Sequence, residues 1–278
     1  MQYKDKVAVV TGAGSGIGRA LAVELASRGA RLAISDVNDD TLAETVSLCE
    51  KAGGEGHKYL LDVADRQAVL AHADEVMRDL GQVNLVVNNA GVALMATVED
   101  MSWEDFDWLM GINFWGVMHG TKAFLPHLIA SGEGHLVNIS SVFGFIGVPS
   151  QSAYNAAKFA VRGFTEALRQ EMLVAGHPVG VSCVHPGGIK TNIARDARSA
   201  KDMGDRAERN KDFERAARTT PEKAAQIILR GVDRKKPRIL VGPDAYLFDA
   251  IPRVTGSGYQ RAGAAIAKRV TSRLGVEL

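Results

Sequence analysis

The chain has 278 residues, of which 46% are hydrophobic, 23% charged and 6% aromatic, with 29 glycines and 8 prolines. Glycine exceeds its average share of roughly 7% and proline falls below its roughly 5%, which excludes collagen and proline-rich disorder. The 33 basic and 32 acidic residues leave a formal charge of +1, so no global field favours nucleic acid or an anionic membrane as a partner.

The cysteines and the apolar runs indicate a cellular location. The two cysteines, Cys49 and Cys183, are too few for a disulfide framework, which favours a reducing compartment. No apolar run reaches the roughly 18 residues of a membrane span, and the first residues lead into an apolar run without a secretory signal. These features predict a soluble, cytoplasmic protein.

Short apolar runs alternate with helical patterns along most of the chain. The predicted strands are nearly continuous in apolar residues, as in a parallel sheet buried on both faces, and lie at 7–10, 32–35, 59–63, 85–87, 136–139, 179–184 and 239–241. The predicted helices lie at 20–27, 41–51, 67–80, 106–129, 153–173 and 222–232. Strict alternation of strand and helix is typical of a doubly wound α/β sheet.

A charged stretch at residues 192–220 departs from this alternation. It holds eight Arg or Lys and six Asp or Glu, with Ile193, Met203 and Phe213 as its only larger apolar residues. The composition fits a solvated helix pair laced with ion pairs, or alternatively a mobile lid over a site.

The tail at 243–278 is the second departure, because Gly242-Pro243 should end the last strand. In the tail, Tyr259, Ala262, Ile266 and Val270 fall on one helical face. That face is mostly alanine and weakly apolar, so packing on the core or on a neighbouring subunit is favoured over lying on a membrane.

A glycine-rich turn follows the first predicted strand, with the sequence Thr11-Gly12-Ala13-Gly14-Ser15-Gly16-Ile17-Gly18 before a helix. Glycines let backbone amides approach a pyrophosphate at a helix N-terminus, whose partial positive charge favours anions. The general G-x-G-x-x-G fingerprint is not matched, because Ile17 stands where its third glycine should be. Taken alone, the turn also fits a purely structural role.

Asp36 strengthens the nucleotide interpretation. It ends the second predicted strand, 18 residues past Gly18, where a carboxylate can accept hydrogen bonds from adenosine ribose hydroxyls and would repel a 2′-phosphate. Val37 offers no positive charge to that phosphate, although Arg19 could swing towards it. NAD is therefore predicted over NADP.

Tyr154 and Lys158 are four residues apart in a predicted helix, so their side chains share one face. An unperturbed tyrosine has a pKa near 10, and a nearby ammonium group stabilises the phenolate. The pair could serve as a general acid and base, but a Tyr-x-x-x-Lys spacing is common by chance.

Several motifs together resemble the short-chain dehydrogenase/reductase family. They are T-G-x-x-x-G-x-G at residues 11–18, Asn88-Asn89-Ala90-Gly91 after the fourth strand, Ser141 thirteen residues before Tyr154, Lys158, and Pro186-Gly187 after the sixth strand. The resemblance spans residues 4–242. It implies a Rossmann fold in residues 1–242, with 192–220 as substrate lid and 243–278 as an extension. The implied activity is that of an NAD(P)-dependent oxidoreductase acting on CH–OH groups, and the implied assembly is a homodimer or homotetramer.

The resemblance also implies a catalytic set. Tyr154 would exchange a proton with the substrate oxygen, while Lys158 lowers the pKa of Tyr154 and holds the nicotinamide ribose. Ser141, favoured over Ser140 by its spacing, would donate a hydrogen bond to the substrate oxygen. Asn113 would hold a water that relays protons to Lys158.

Cofactor contacts follow from the same resemblance. Asp62 matches the adenine contact, Asn89 to Gly91 the adenosine ribose turn, and Ile189 and Thr191 the carboxamide and pyrophosphate contacts, while Asn88 would brace the sheet. The full implied set is Gly12, Ser15, Gly16, Ile17, Gly18, Asp36, Asp62, Val63, Asn89, Ala90, Gly91, Tyr154, Lys158, Pro186, Gly187, Ile189 and Thr191. No metal is expected, because the seven histidines form no ligand-spaced cluster, and His185 is expected to be structural.

The residues near the expected pocket are mostly apolar: Trp115, Phe143, Phe145, Ile146, Val148 and Pro149, with Gln151 as the polar exception. We therefore expect a hydrophobic secondary alcohol or its ketone, contacted by Ser141, Phe143, Gln151 and Tyr154. Each apolar residue could instead belong to the core or to a subunit contact.

Two alternatives remain at this stage. One is an NADPH-dependent reductase of 3-oxoacyl-carrier-protein or steroid-type ketones, which Asp36 disfavours. The other is a catalytically silent dinucleotide sensor, which the complete set of Asn113, Ser141, Tyr154 and Lys158 disfavours. Nucleic-acid binding is disfavoured by the balanced charge.

Overall fold

The computed structural model describes residues 2–199 and 217–274, with side chains described to residue 269. Its strands are β1 (Val7–Thr11), β2 (Arg31–Asp36), β3 (Glu55–Leu60), β4 (Leu85–Asn88), β5 (Leu94–Met95), β6 (Gly134–Ile139), β7 (Val179–Pro186), β8 (Arg198–Ser199) and β9 (Arg238–Val241). Seven of them form one parallel sheet in the order β3-β2-β1-β4-β6-β7-β9, which confirms the doubly wound α/β prediction.

Helices cover both faces of this sheet. They are α1 (Gly16–Ser27), α2 (Asp39–Lys51), α3 (Arg66–Leu80), α4 (Trp103–Met110), α5 (Gly116–Ala130), α6 (Ser152–Ala175), α7 (Pro221–Asp233), α8 (Pro243–Thr255) and α9 (Tyr259–Leu274). A π-helical turn, Gly111–Trp115, joins α4 to α5. Thr220 caps α7 by accepting a hydrogen bond from the Lys223 amide, as its Thr-Pro start predicts.

The order in which the strands are added to the sheet reverses at β1. β1 pairs with β2 on one side and with β4 on the other, so the loops after β1 and β4 diverge and leave a crevice at the carboxyl edge. Buried apolar side chains fill both faces of the sheet, with Leu21 and Ile228 on one face and Phe124 and Leu128 on the other. This packing fixes the strand ends that form the crevice.

The third strand lies earlier than predicted, at Glu55–Leu60 rather than 59–63. β3 pairs only with β2 and forms an edge of the sheet, so its residues include the exposed Leu60 and the charged Lys58. A continuous run of apolar residues marks a central strand, which is buried on both faces. An edge strand is partly exposed and lacks such a run. Asp62 therefore lies two residues beyond the strand.

Residues 192–199, the first described part of the charged stretch, form turns and a short strand and not a helix. They contact the rest of the protein. β8 pairs in parallel with β5, and the Arg198 amide donates to the Ala93 carbonyl at 3.0 Å. The Arg198 guanidinium lies 3.8 Å from the centre of the Trp108 ring. Met203 and Phe213 lie outside the described residues.

The tail forms two helices after Gly242. In α8, Ala245 is buried and Asp249 pairs with Arg238 of β9 at 2.9 Å. At the start of α9, the Tyr259 phenol accepts a hydrogen bond from the Gly147 amide at 3.1 Å, but Ile266 is 62% exposed. In the described ranges, no helix is both long and apolar enough to cross a membrane.

Candidate active site

A cleft with a cavity volume of about 350 Å³ lies at the carboxyl edge of the sheet. Most of the residues predicted from the sequence line it: Gly12, Ser15, Gly16, Ile17, Asp36, Asp62, Val63, Asn89, Ala90, Gly91, Ser141, Tyr154, Lys158, Pro186, Gly187, Ile189 and Thr191. The lining also includes three residues of the predicted lid, Asn192, Ile193 and Asp196, and seven residues outside the predicted sets: Val37, Leu61, Val92, Ala93, Ile112, Ile139 and Ser140. Four predicted residues do not line it: Gly18, Asn113, Phe143 and Gln151.

The glycine turn is shaped by close backbone approaches. Gly12 and Gly16 have φ angles of +64° and +55°, in the left-handed region that favours glycine. A Cβ on Gly14 would lie 2.8 Å from an Asp36 carboxylate oxygen. Gly18 lies behind the turn, where a side chain would collide with the Gly12 carbonyl, so its task is packing. The glycines therefore leave the backbone of the turn free of side chains at the start of α1.

Asp36 lies at the far end of the cleft. One carboxylate oxygen accepts the Gly14 amide at 2.8 Å and the other accepts the Asn38 amide at 3.1 Å. Arg19, the cation that could have approached a 2′-phosphate, is instead held by Thr45 and the Gly14 carbonyl and forms an ion pair with Glu44 at 2.9 Å. The Asp36 carboxylate lines the cleft, and the Arg19 guanidinium is fixed beside the same glycine turn by Gly14, Thr45 and Glu44.

The two asparagines after β4 have separate tasks. The Asn89 side chain donates to the Thr11 carbonyl at 2.9 Å and the Gly12 carbonyl at 3.1 Å, which fastens the turn after β4 to the glycine turn. The buried Asn88 side chain donates to Asn138 of β6 at 2.8 Å. Asn88 therefore braces the sheet, as expected.

Asn113 lies behind the cleft, fully buried in the π-helical turn. Its amide oxygen accepts the Val92 N–H at 2.8 Å, and its amide nitrogen donates to the Val92 carbonyl at 2.9 Å. A Cβ on Gly91 would lie 3.3 Å from the Asn113 oxygen and 3.6 Å from Lys158 Nζ. Asn113 thus holds the turn that separates it from Lys158.

Ser141, Tyr154 and Lys158 meet on one wall of the cleft. Lys158 Nζ donates to the Ile139 carbonyl at 3.1 Å and lies 5.5 Å from the centre of the Tyr154 ring. Burial lowers the pKa of Lys158 to about 8. Burial raises the pKa of Tyr154 to about 12, and a hydrogen bond with the Ser141 hydroxyl opposes that rise. Burial is the larger of these two effects, and the lowering of the Tyr154 pKa by Lys158 stays a prediction.

Two nearby polar residues are structural. The Ser140 hydroxyl donates to the Lys158 carbonyl at 2.8 Å, inside the packing of α6. His185 Nδ1 lies 2.9 Å from the Ser141 carbonyl, its ring stacks on Phe145 at 4.1 Å between centroids, and burial lowers its pKa to about 4. A neutral imidazole supports the loop that carries Ser141.

A residue of the tail supports the turn after β7, which lines the cleft, and it was not predicted from the sequence. Asp244 of α8 accepts a hydrogen bond from the Gly188 amide at 2.6 Å, and its carboxylate fills the space that a side chain on Gly187 would need. Acidic residues are common in the first turn of a helix, because the helix dipole favours them there. The sequence around Asp244 therefore gave no sign of its contact with a turn 56 residues away. Thr191, farther along the same turn, lies against Gly16.

The residues expected near the substrate lie in different surroundings. The Phe143 ring packs edge-on against Tyr154 at 6.0 Å, and Gln151 forms a β-bridge to Ala96. Phe145 is a core residue, only 4% exposed, and Trp115 is 45% exposed beside His119. In the chain as described, His, Cys, Asp and Glu form no group of three that could hold a metal.

Comparisons with known proteins bear on this site. The sequence profile of the family described as short chain dehydrogenase matches residues 6–202. The chain belongs to the short-chain dehydrogenase/reductase family. SadH of Mycobacterium tuberculosis, which carries an oxidoreductase name, is 56% identical over 264 residues, 95% of each chain.

Solved structures of short-chain dehydrogenases/reductases agree. One from Burkholderia phymatum in complex with NAD superposes with a TM-score of 0.85 at 32% identity, covering 92% of this chain and 95% of that chain. A metagenomic short-chain oxidoreductase in complex with NADP has a TM-score of 0.70 at 28% identity, covering 87% and 98%. This short-chain dehydrogenase/reductase is thus an NAD(P)-dependent oxidoreductase of the type that acts on CH–OH groups.

Proposed function

We propose that the protein transfers a hydride between NAD(H) and a hydrophobic secondary alcohol or ketone, with Tyr154 as general acid and base. The observation that carries this proposal is the meeting of Ser141, Tyr154 and Lys158 on the wall of a cleft whose other end presents Asp36.

The cleft fits a dinucleotide. The glycine turn lines the cleft at the start of α1, where the helix dipole favours a pyrophosphate. The Asp36 carboxylate supports NAD over NADP, because it would accept ribose hydroxyls and repel a 2′-phosphate. Arg19 is paired with Glu44, which competes with a 2′-phosphate for the guanidinium.

Each residue on the catalytic wall has a chemical task. When bound, NAD⁺ would supply the hydride acceptor. Tyr154 accepts the proton of the alcohol, and the Ser141 hydroxyl donates a hydrogen bond to the substrate oxygen as negative charge develops there. Lys158 is close to Gly91 and would hold the ribose hydroxyls.

Asn113 acts in this proposal through its neighbours. Both polar atoms of its side chain are engaged with the Val92 main chain. A water of a proton relay to Lys158 would therefore contact the main chain of Asn113. The side chain positions the turn at residues 91–92.

The apolar lining supports the substrate class. Val92, Ala93, Ile139 and Ile193 line the cleft together with Tyr154. A hydrophobic substituent beside the reacting carbon would bury apolar surface against these side chains. Asn192, Ile193 and Asp196 of the charged stretch also line the cleft, which supports a selectivity role for this segment.

We infer a homodimer or homotetramer as the assembly.

The test is a panel of secondary alcohols with NAD⁺ or NADP⁺, in which the absorbance of the reduced nicotinamide is followed. We expect turnover of hydrophobic alcohols with NAD⁺, and a loss of about 10²- to 10⁴-fold in kcat for Tyr154→Phe. Full activity of Tyr154→Phe would contradict the proton-transfer role. NADH binding without turnover of any alcohol or ketone would favour the sensor alternative.

A further inference from the structure

Ser141 belongs to the loop between β6 and α6, and a buried residue of α6 contacts this loop. The β6–α6 loop spans residues 140–151. Asn155, near the start of α6, is only 8% exposed. It directly follows Tyr154, and consecutive residues of a helix point about 100° apart. Tyr154 therefore lines the cleft, whereas the Asn155 side chain points into the loop.

The Asn155 side chain forms three hydrogen bonds with the main chain of the β6–α6 loop. Its Nδ2 donates to the Phe143 carbonyl at 2.8 Å and to the Ile146 carbonyl at 2.7 Å. Its Oδ1 accepts the Val148 amide at 3.0 Å. Rotation of the side-chain amide by 180° would place its oxygen against two carbonyl oxygens, so only the observed orientation satisfies the loop. One side chain thus holds the segment 143–148 at three points.

Phe143 links Asn155 to the Ser141 hydroxyl. The Phe143 carbonyl is held by Asn155, and the Phe143 amide donates to Ser141 Oγ at 3.1 Å. A hydroxyl group has one proton to donate and two lone pairs that accept. Because the Phe143 N–H is directed at a lone pair, the Ser141 proton donates on the other side, where the hydroxyl meets Tyr154.

The main chain of Ser141 is held by different contacts. The Ser141 carbonyl accepts the Gly144 amide at 3.0 Å and lies 2.9 Å from His185 Nδ1. These contacts fix the backbone at Ser141, but they do not fix the side-chain torsion angle that directs its hydroxyl. The Phe143 amide acts on the hydroxyl itself, so the direction of the Ser141 proton depends on how firmly Phe143 is held.

From these contacts we propose that Asn155 is a positioning residue, which holds Phe143 so that the Ser141 hydroxyl donates its hydrogen bond to the substrate oxygen. The inference rests on the proposed function, in which Ser141 supplies that hydrogen bond. Asn155 does not line the cleft, so it acts on the reaction through Phe143 and Ser141. Its loss misdirects a donor that must be in place before the transition state forms, and it leaves the cofactor contacts unchanged.

Steady-state kinetics of Asn155→Ala test the proposal, with an alcohol that the wild type oxidises. Removing a hydrogen-bond donor of this kind lowers kcat about 10²- to 10³-fold, and because Asn155→Ala misdirects the donor without removing it, we expect a loss of about tenfold or more. The Kd for NADH should stay at the wild-type value. Asn155→Ser, whose side chain is one bond shorter, should give the same result and replaces Asn155→Ala if that variant does not bind NADH. An unchanged kcat would overturn the proposal.

A double-mutant cycle with Ser141→Ala separates positioning from a general effect on packing. If Asn155 acts through the Ser141 hydroxyl, Asn155→Ala should lower kcat less than about twofold further once Ser141 is alanine. Thr165→Val is the matched control, since Thr165 is a buried polar residue of the same helix that accepts from Asn138 at 3.0 Å. Its kcat should stay near the wild-type value. An equal loss in both Ser141 backgrounds, or in Thr165→Val, contradicts the positioning role.

Amide hydrogen exchange tests the contact between Asn155 and the loop without any turnover. Asn155→Ala should speed exchange in the segment 142–148, because the amides of Phe143 and Val148 lose their fixed acceptors. Unchanged exchange overturns the proposal even if the enzyme is active. If instead the wild type oxidises no alcohol, or Tyr154→Phe keeps full activity, the proposed function fails, and the exchange result still decides whether Asn155 holds Phe143.

Discussion

Replacing Asp244 by alanine should weaken dinucleotide binding, although Asp244 does not line the cofactor cleft. Its carboxylate accepts the Gly188 amide at 2.6 Å and occupies the space beside Gly187, which does line the cleft. Removing the carboxylate leaves that amide without its acceptor and frees the turn after β7. The turn then samples conformations that cannot close on the cofactor.

The size of the effect follows from this hydrogen bond. A hydrogen bond to a charged group contributes about 1.5–3 kcal/mol to the structure that contains it. If this free energy holds the turn in its binding conformation, its loss weakens cofactor affinity by roughly 10- to 150-fold. If part of this free energy stabilises the whole fold instead, its loss lowers the melting temperature by about 2–4 °C for each kcal/mol.

The assay is the Kd for NADH from nicotinamide fluorescence, measured together with the KM for NAD⁺ and the melting temperature. Asp244→Asn should retain most of the affinity, because its amide oxygen can still accept the Gly188 N–H. Asp249→Ala is the matched control, since Asp249 lies in the same helix but pairs with Arg238 and Arg253. An unchanged Kd for NADH in Asp244→Ala, or an equal rise in Asp249→Ala, would refute the positioning role.

Three further predictions concern specificity, pH dependence and stability. Asp36→Asn should lower kcat/KM for NAD⁺ about tenfold and raise it for NADP⁺, because one charged acceptor and the repulsion of a 2′-phosphate are both lost; an unchanged ratio in initial-rate assays would contradict the NAD assignment. Alcohol oxidation should become faster as the pH rises from roughly 6 to 10, since it requires deprotonated Tyr154 and burial raises that pKa to about 12, whereas ketone reduction, which requires the phenol, should not. Burial lowers the pKa of His72 from 6.5 to about 4, so His72 destabilises the fold as the pH falls from 6.5 towards 4, by up to about 3 kcal/mol. His72→Leu should therefore raise the melting temperature more at pH 5 than at pH 8, and an equal change at both pH values would refute this reasoning.

Most of the fold could be predicted from local patterns. The central strands are apolar because both of their faces are buried, and the start of α7 is marked by a threonine cap and a proline. The third strand was misplaced because β3 is an edge strand with exposed residues, which removes the apolar run used to find it. The predicted helix 106–129 is divided by the π-helical turn, which carries Asn113 and which no periodicity indicates.

The candidate site was predictable where its residues lie on short, ordered motifs. Examples are the glycine turn, Asp36, and the pair of Tyr154 and Lys158. In each case the residue type and its place in one strand, turn or helix are enough to predict where the side chain lies. Phe145 lies in the core, an alternative that the sequence left open because an aromatic residue beside a site and one inside the core have the same local sequence.

The sequence by itself determined the family, the alternation of strands and helices and the catalytic spacing, because these depend on contacts between residues close together in the chain. Only the tertiary structure decided that Arg19 pairs with Glu44, that Asn113 is engaged with Val92, and that Asp244 holds the turn after β7. Each of these contacts joins elements far apart in the chain. Such contacts depend on how the helices pack on the sheet, and no local pattern of residues encodes that packing.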